Sequence, residues 1–218
     1  MVDIARSWGE VVEIQTRGFG RLRPKLERLL PEHPVLVVHP VAAERRVIRV
    51  DASGEVLSSR RSPKRDTPLA VFDELVFLPD ALRHEGLAVE IALTREDVVH
   101  GPPDGRRRRR RPAGRRHLVE LVERVRFSEP SDLAAFLPSG LDEPFTVREL
   151  AAALPSTVLR AQRAAYVLRA LGLIEPAGKR ARAPVYTTAR SRRRRRKPPR
   201  AASPAPASRR AISIPTAP

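Results

Sequence analysis

The stretch that decides the fold of the C-terminal half reads FTVRELAAAL over residues 145–154 and QRAAYVLRALGLIEPAGKRARAPVYTT over residues 162–188. Thr146 and Glu149 stand at the spacing of a capping box, in which each side chain bonds a backbone N–H at the start of a helix. The sequence therefore predicts a short helix that begins here and runs to about Ala153.

A longer helix is predicted directly after this one. Residues 154–156 form the turn between them, and the helix occupies residues 157–171. It ends at Gly172, since glycine readily adopts the left-handed conformation that follows a helix. Residues 173–188 then predict a two-stranded hairpin around a polar loop.

The longer helix has an apolar and a polar side. Apolar residues recur at helical spacing and are expected in the core: Val158, Ala161, Ala165, Leu168 and Leu171. The polar side and the hairpin tip supply candidate nucleic-acid-binding residues: Arg160, Arg163, Tyr166, Arg169, Lys179, Arg180 and Arg182. Cations at the tip of a hairpin, opposite a basic helix face, suit contacts with phosphate. Alternatively, these arginines are only a solvated face.

These residues closely resemble the winged-helix family, whose parts are a short helix, a tight turn, a long helix and a basic hairpin. The resemblance implies that the second helix enters the major groove of DNA and that the hairpin touches the DNA backbone. Many winged helices contact proteins instead, so an adaptor that docks a partner chain is an alternative.

The composition restricts the class of protein. The chain has 218 residues, 41% of them hydrophobic, which is enough for one or two domains. It has no cysteine, which excludes disulfides, cysteine zinc sites and cysteine nucleophiles and fits a reducing cytoplasm. There is no signal-peptide-like run and no stretch of 18 apolar residues, so we expect a cytoplasmic protein without a membrane partner.

The formal net charge of +17 lies in two segments. Residues 106–111 with Arg115 and Arg116 contribute eight positive charges, and residues 189–218 contribute ten with no acid. The other 24 Lys and Arg face all 25 Asp and Glu, so the globular parts are expected to be nearly neutral. The two segments are interpreted as polyanion-binding arms, or else as a loop insertion and an unconstrained tail.

The N-terminal region predicts two short strands, a helix and a buried strand, at residues 3–6, 11–15, 19–30 and 35–41. On the second strand Glu13 and Gln15 are two residues apart and share a face. Val12 and Ile14 are expected to point into the core, because the opposite assignment would bury a carboxylate without a visible partner.

A tight hairpin would place Asp3 opposite Glu13. Two carboxylates that converge in this way can hold Mg²⁺ through oxygen ligands, with waters and a phosphate completing the octahedron. Such a metal can activate water and stabilise a leaving oxygen. The sequence therefore predicts a magnesium site at Asp3 and Glu13.

This order of an Asp strand, a Glu-x-Gln strand, a helix and a strand resembles the core of the PD-(D/E)XK nuclease superfamily, in which Gln sometimes replaces the usual Lys. The stretch DIARSWGEVVEIQTRGFGRLRPKLERLLPEHPVLVVHPVAAERRVIRV (residues 3–50) is also similar to a group of uncharacterised bacterial proteins that pair this core with a C-terminal winged helix. The resemblance implies that Asp3 and Glu13 bind Mg²⁺, that Gln15 orients water and that Lys25 is an auxiliary cation.

The chain departs from the superfamily at its N terminus. The superfamily has a helix and a strand before the Asp strand, whereas Asp3 is almost the first residue here. Either Met1 is not the true start, or the fold is truncated at its N terminus.

The remaining segments are assigned more simply. Strands are expected at residues 46–50, 55–59 and 87–94, and short helices at 69–77, 80–84, 118–125 and 131–137, the last capped by Ser131. His33 and His39 are interpreted as a surface histidine and a core histidine. The basic loop with Arg60, Arg61, Lys64 and Arg65 either contacts phosphate or is merely solvated.

We therefore expect an α+β protein in four parts. These are a restriction-endonuclease-like α/β domain with a small mixed sheet and a crossover helix (1–100), an Arg-rich linker (101–116), a winged-helix domain (117–188) and a disordered basic tail (189–218). The expected function is DNA binding, with Mg²⁺-dependent phosphodiester hydrolysis if the nuclease-like site is active. A non-enzymatic DNA-binding regulator is the alternative.

Overall fold

The computed structural model describes residues 3–102 and 114–189. Its strands are β1 (Ile4–Ala5), β2 (Val11–Ile14), β3 (Val35–Val50), β4 (Val56–Arg61), β5 (Leu87–His100), β6 (Arg115–Phe127), β7 (Phe145–Thr146), β8 (Ile174–Arg180) and β9 (Ala183–Thr188). Its α-helices are α1 (Phe19–Leu29), α2 (Phe72–Leu75), α3 (Val147–Ala153) and α4 (Val158–Ala170), and short 3-10 helices occupy Pro68–Val71, Ala81–Arg83 and Pro130–Phe136. The expected α+β class is confirmed.

Six strands form one mixed sheet in the order β1-β2-β3-β5-β6, with β4 pairing off to the side of β3. The β1–β2 and β5–β6 pairs are antiparallel, whereas β3 runs parallel to both β2 and β5. Because parallel neighbours need a crossover connection, α1 carries the chain from β2 back to the start of β3. The predicted mixed sheet with a crossover helix is confirmed.

Helix α1 covers one face of this sheet. Phe19, Leu22 and Leu26 recur every three or four residues and are buried against it. The helix begins after Gly18, whose φ of 74° lies in the left-handed region that glycine adopts most readily. The backbone N–H groups of Gly18 and Phe19 both donate to Glu74 Oε2, at 2.7 and 3.0 Å, so a carboxylate from α2 caps the start of α1.

The opposite sheet face carries a small buried apolar cluster of Val12, Leu36 and Ala88, with Val38 packed beside it. No helix among the described residues lies over this cluster. The prediction that Val12 and Ile14 form the buried pair of β2 is wrong for Ile14, which is 47% exposed. Helix α1 instead buries the side of β2 that carries Val11 and Glu13.

The C-terminal elements follow the predicted succession of a short helix, a turn, a longer helix and a hairpin. The capping box of α3 is present, with Thr146 N–H donating to Glu149 Oε2 and Glu149 N–H donating to Thr146 Oγ1. The hairpin strands β8 and β9 join β7 in a three-stranded sheet of order β7-β9-β8. The two helices and the outer ends of the hairpin are confirmed within a residue or two, but the loop predicted at residues 177–183 is shorter, since β8 continues to Arg180 and β9 begins at Ala183.

Helix α4 buries Ala161, Ala164, Ala165, Val167 and Leu168. Val158, expected in the core, is instead 44% exposed. One hydrophobic cluster joins residues of the large sheet to residues of α3 and α4, so the two halves share a core.

The predicted helix at residues 118–125 is wrong, since these residues belong to strand β6. Two register shifts in the β5–β6 pairing leave Val119 and Val122 without a direct partner. Each β-bulge adds one residue, which changes the two-residue repeat of a strand locally to three. The resulting spacing of Leu118 and Leu121 imitates a helix.

Strand β6 also shows that the predicted end of the linker and the predicted start of the second domain are misplaced. Arg115 and Arg116, assigned to the linker, begin β6, and residue 117, the predicted start of the second domain, lies inside the large sheet. The expected strands at 35–41 and 46–50 are one continuous strand, β3. The predicted helix at residues 131–137 is the 3-10 helix Pro130–Phe136, which is capped by Glu129 rather than Ser131.

The Arg-rich run at residues 106–111 and residues 190–218 of the predicted tail lie outside the described part of the chain. No helix of the described part is long and apolar enough to cross a membrane.

Candidate functional site

Glu13, the central residue of the predicted magnesium site, is buried under α1. Its side chain points from β2 towards the helix, and the residue is only 3% exposed. Lys25 of α1 places its Nζ against Glu13 Oε1 in an ion pair, while itself remaining 22% exposed. The expectation that Glu13 would not be buried, because no partner for its carboxylate was visible, is therefore wrong, since Lys25 supplies that partner.

Asp3 is exposed and has a different partner. The pairing of Ile4 with Val12 brings the backbone of Asp3 alongside that of Glu13. However, Asp3 Oδ2 accepts a hydrogen bond from the Ile14 backbone N–H at 2.8 Å, whereas Glu13 bonds Lys25. The backbones of Asp3 and Glu13 thus lie side by side, but their carboxylates have different partners.

Gln15 follows the end of β2 and is half-buried. Its side-chain amide donates to the backbone carbonyl of Arg17, and its backbone carbonyl oxygen lies 2.8 Å from His39 Nδ1. Gln15 therefore fixes the turn into α1 and the ring of a buried histidine.

The arrangement does not fit a magnesium ion as it stands. A metal bound by both carboxylates would have to displace Lys25 from Glu13 and the Ile14 amide from Asp3. Within residues 3–102 and 114–189, no group of three or more histidine or acidic side chains is placed to hold a metal ion. We therefore derive no catalytic step through a metal at this position.

Two of the predicted nucleic-acid-binding arginines make contacts inside the protein. Arg160 of α4 donates to Asp73 Oδ2 at 2.8 Å and to Asp66 Oδ1 at 3.0 Å, and Arg163 donates to Asp73 Oδ1 at 2.9 Å. Burial by itself would raise the pKa of Asp73, but the hydrogen bonds and charges of Arg160 and Arg163 outweigh it, so the pKa of this carboxyl lies below its ordinary value. These arginines fasten α4 to α2 and to the segment before it.

The other predicted contact residues remain at the surface. Tyr166 and Arg169 lie on the outer side of α4, and Lys179 and Arg182 lie at the hairpin tip. Arg180 is partly occupied, because it bonds Glu149 Oε1 at 2.6 Å and also the Pro144 carbonyl. A surface with fewer free cations than expected therefore remains available to a polyanion.

A polar cavity that the sequence did not reveal lies between the large sheet and α4. It is lined by Arg17 and His39 near the end of β2, by Arg45 and Glu96 of the long strands, and by Arg160. These residues lie as far as 143 positions apart in the chain. The sequence singled out four of the lining residues, each for a different reason and without indicating a common site: His39, Lys64, Arg116 and Arg160.

Residues 1–128 match the family model described as Domain of unknown function (DUF8091). The matched part exceeds half of the chain and ends directly after β6, at the boundary between the large sheet and the C-terminal elements. The chain belongs to this family. It is also similar to an uncharacterized protein of Treponema pallidum (strain Nichols), with 33% identity over 186 residues that cover 84% of this chain and 73% of the relative. No solved structure is significantly similar to the chain.

Proposed function

We propose that the protein binds DNA through a C-terminal winged helix together with its Arg-rich segments. The succession of α3, a turn, α4 and the β8–β9 hairpin matches the parts that the sequence resemblance implies. The large sheet would then serve as the scaffold on which α4 is fixed, through Arg160 and Arg163.

The distribution of charge is the observation that carries this proposal. The described residues contain 26 Lys and Arg against 24 Asp and Glu, so the folded body is almost neutral. Nearly all of the +17 charge is concentrated in residues 103–113 and 190–218, which adjoin β6 and β9. Short segments with such a density of arginine bind polyanions by releasing counterions from phosphates.

The geometry changes which residues are assigned to the DNA contact. Arg160 and Arg163 are assigned to internal ion pairs, and Tyr166, Arg169, Lys179 and Arg182 keep the expected role. The sparse cations of α4 favour backbone contact over extensive reading of bases. We therefore expect affinity that depends strongly on salt and weakly on sequence.

Binding of the full chain to a duplex without 5′-phosphates tests the proposal. Deletion of residues 190–218 is expected to lower the affinity at low salt and to flatten the plot of log K against log salt concentration, because each lost phosphate contact removes about 0.9 from the slope. The double variant Lys179→Ala/Arg182→Ala should flatten the same plot by at most about 2.

Arg49→Ala is the matched control, since Arg49 is an exposed arginine on β3, away from α4 and the hairpin. Its slope should equal that of the wild type. Equal slopes for all four proteins, or no binding of the full chain, would reject the proposal.

Mg²⁺-dependent hydrolysis of DNA is a second candidate. It is favoured by the antiparallel β1–β2 pair, the α1 crossover and the parallel β3, which occur in the order that the nuclease resemblance implies. Under this candidate Mg²⁺ would have to displace Lys25 from Glu13 and the Ile14 amide from Asp3. The full chain would then nick supercoiled DNA only with Mg²⁺, and Glu13→Gln would abolish nicking while Glu27→Gln, an exposed change on α1, would not. DNA binding without nicking would leave the non-enzymatic function.

A further inference from the structure

The polar cavity between the large sheet and α4 has a volume of about 270 Å³. It lies where β2 ends and where β3 bends. The pairing of β3 with β5 shifts register between Ala42 and Glu44, and β5 shifts against β6 at the same level. Bulges of this kind bend strands and often re-aim side chains beside functional sites.

The acidic side chains of the cavity are already neutralised. Asp66 and Asp73 bond Arg160, and Glu74 accepts the two N–H groups that begin α1. Glu96 is buried and bonds both Arg45, at 3.3 Å, and the Thr94 hydroxyl, at 3.2 Å. None of these carboxylates is therefore available to attract a cation.

Three cations of the same cavity have no such partner. Arg17, Lys64 and Arg116 line it and are exposed, and no carboxylate of the described residues lies within 4.0 Å of their charged groups. Arg45 adds a buried Nε that lacks a hydrogen-bond partner in the described part of the chain. The cavity thus has an excess of positive charge and of N–H donors, which favours an anion.

His39 adds an acceptor to this set of donors. It is only 5% exposed, and its Nδ1 lies 2.8 Å from the Gln15 carbonyl oxygen. Because a carbonyl can only accept, Nδ1 carries the proton in the neutral ring, and Nε2 is then the acceptor. The packing of the ring edge-on against Phe19 fixes its orientation.

A phosphate monoester matches both the excess of cationic N–H donors in the cavity and the acceptor nitrogen of His39. Its second pKa is about 6, so near neutral pH a fraction carries one proton that it can donate to Nε2, while its other oxygens accept from the arginines and the lysine. Sulfate carries no proton at this pH and cannot make the first bond. The volume is close to the lower end of the range for ligand pockets, which favours a phosphate with a small organic group.

We infer that this cavity binds a phosphate monoester, either a small free molecule or the terminal phosphate of a nucleic acid. The site is separate from the exposed face of α4 and from the hairpin, so it does not depend on the proposed DNA-binding surface.

Titration calorimetry on the full chain at fixed ionic strength tests this inference. Inorganic phosphate and a nucleoside 5′-monophosphate are expected to bind at one site, with sulfate weaker. The double variant Arg17→Gln/Arg116→Gln should weaken binding at least tenfold. Arg49→Gln, which removes an exposed arginine outside the cavity, should bind as the wild type does, which shows that the loss in the double variant does not follow from removing any exposed arginine.

The source of the phosphate is resolved by comparing an oligonucleotide with and without a 5′-phosphate. Tighter binding of the phosphorylated strand, lost in the double variant, assigns the site to nucleic-acid ends. Equal binding of the two strands, with retained binding of the mononucleotide, assigns it to a small molecule. Binding of phosphate that is equal in the wild type and the double variant, or absent from both, would overturn the inference.

Discussion

Replacing Lys25 with alanine is expected to lower the free energy of unfolding by about 3 kcal/mol, since breaking a buried ion pair by removing one partner typically costs 3–5 kcal/mol. Glu13 cannot move to solvent, because β2 holds it under α1. The lower end of the range applies because Lys25 is partly exposed. Urea denaturation of wild type and variant measures the change.

Arg23→Ala is the matched control for this variant. Arg23 lies on the same helix and pairs with Glu27, but both side chains are more than half exposed. Such surface pairs contribute at most about 1 kcal/mol. Adding Glu13→Gln to Lys25→Ala should restore part of the lost stability, because an amide can be buried without a counter-charge. A loss for Lys25→Ala no larger than that for Arg23→Ala would show that Glu13 does not depend on Lys25.

Replacing Arg160 with alanine is expected to cost about 2 kcal/mol. The change leaves Asp66 without its ion-pair partner and Asp73 with Arg163 alone. The expected cost is below that of a fully buried pair because Asp66 and Asp73 keep a quarter or more of their side-chain surface in contact with solvent. Arg169→Ala, an exposed change on the same helix, should alter stability by less than about 0.5 kcal/mol.

The cost of Arg160→Ala should depend on pH. The pKa of Asp73 is lowered in the folded state, so its contribution is present above the unfolded value of about 3.9 and is lost as the pH falls through the folded value. The difference between wild type and Arg160→Ala should therefore be full at pH 7 and shrink below about pH 4. A difference that is unchanged at pH 3 would show that Arg160 acts through packing alone.

The elements that formed as predicted are those whose signals are local. The capping box at Thr146 and Glu149 needs only the first turn of α3, and Gly172, with a φ of 73°, follows α4 as a helix-ending glycine. The apolar spacing of α1 is equally local, because Phe19, Leu22 and Leu26 share one side of any helix.

The candidate site was predicted less completely, because burial depends on distant partners. The sequence correctly placed Glu13 on a strand and Lys25 on the helix that follows it, but it could not show which side of the strand the helix would cover. The sequence could not show that the residues of the cavity around His39 come together, since its walls come from separate strands and from α4.

The sequence by itself determined α1, α3, α4 and the C-terminal hairpin, the crossover that makes β2 and β3 parallel, and the concentration of charge outside a neutral folded body. Only the tertiary structure decided three things: that Glu13 is buried against Lys25, that residues 115–127 form a bulged strand of the large sheet, and that Arg160 and Arg163 face Asp73 rather than a ligand. The reason is physical. Helix capping and periodicity act within a few residues, whereas the burial of a charge depends on a counter-charge that only the folded chain brings close. For Glu13 this counter-charge is Lys25, 12 residues away, and for Arg160 it is Asp73, 87 residues away.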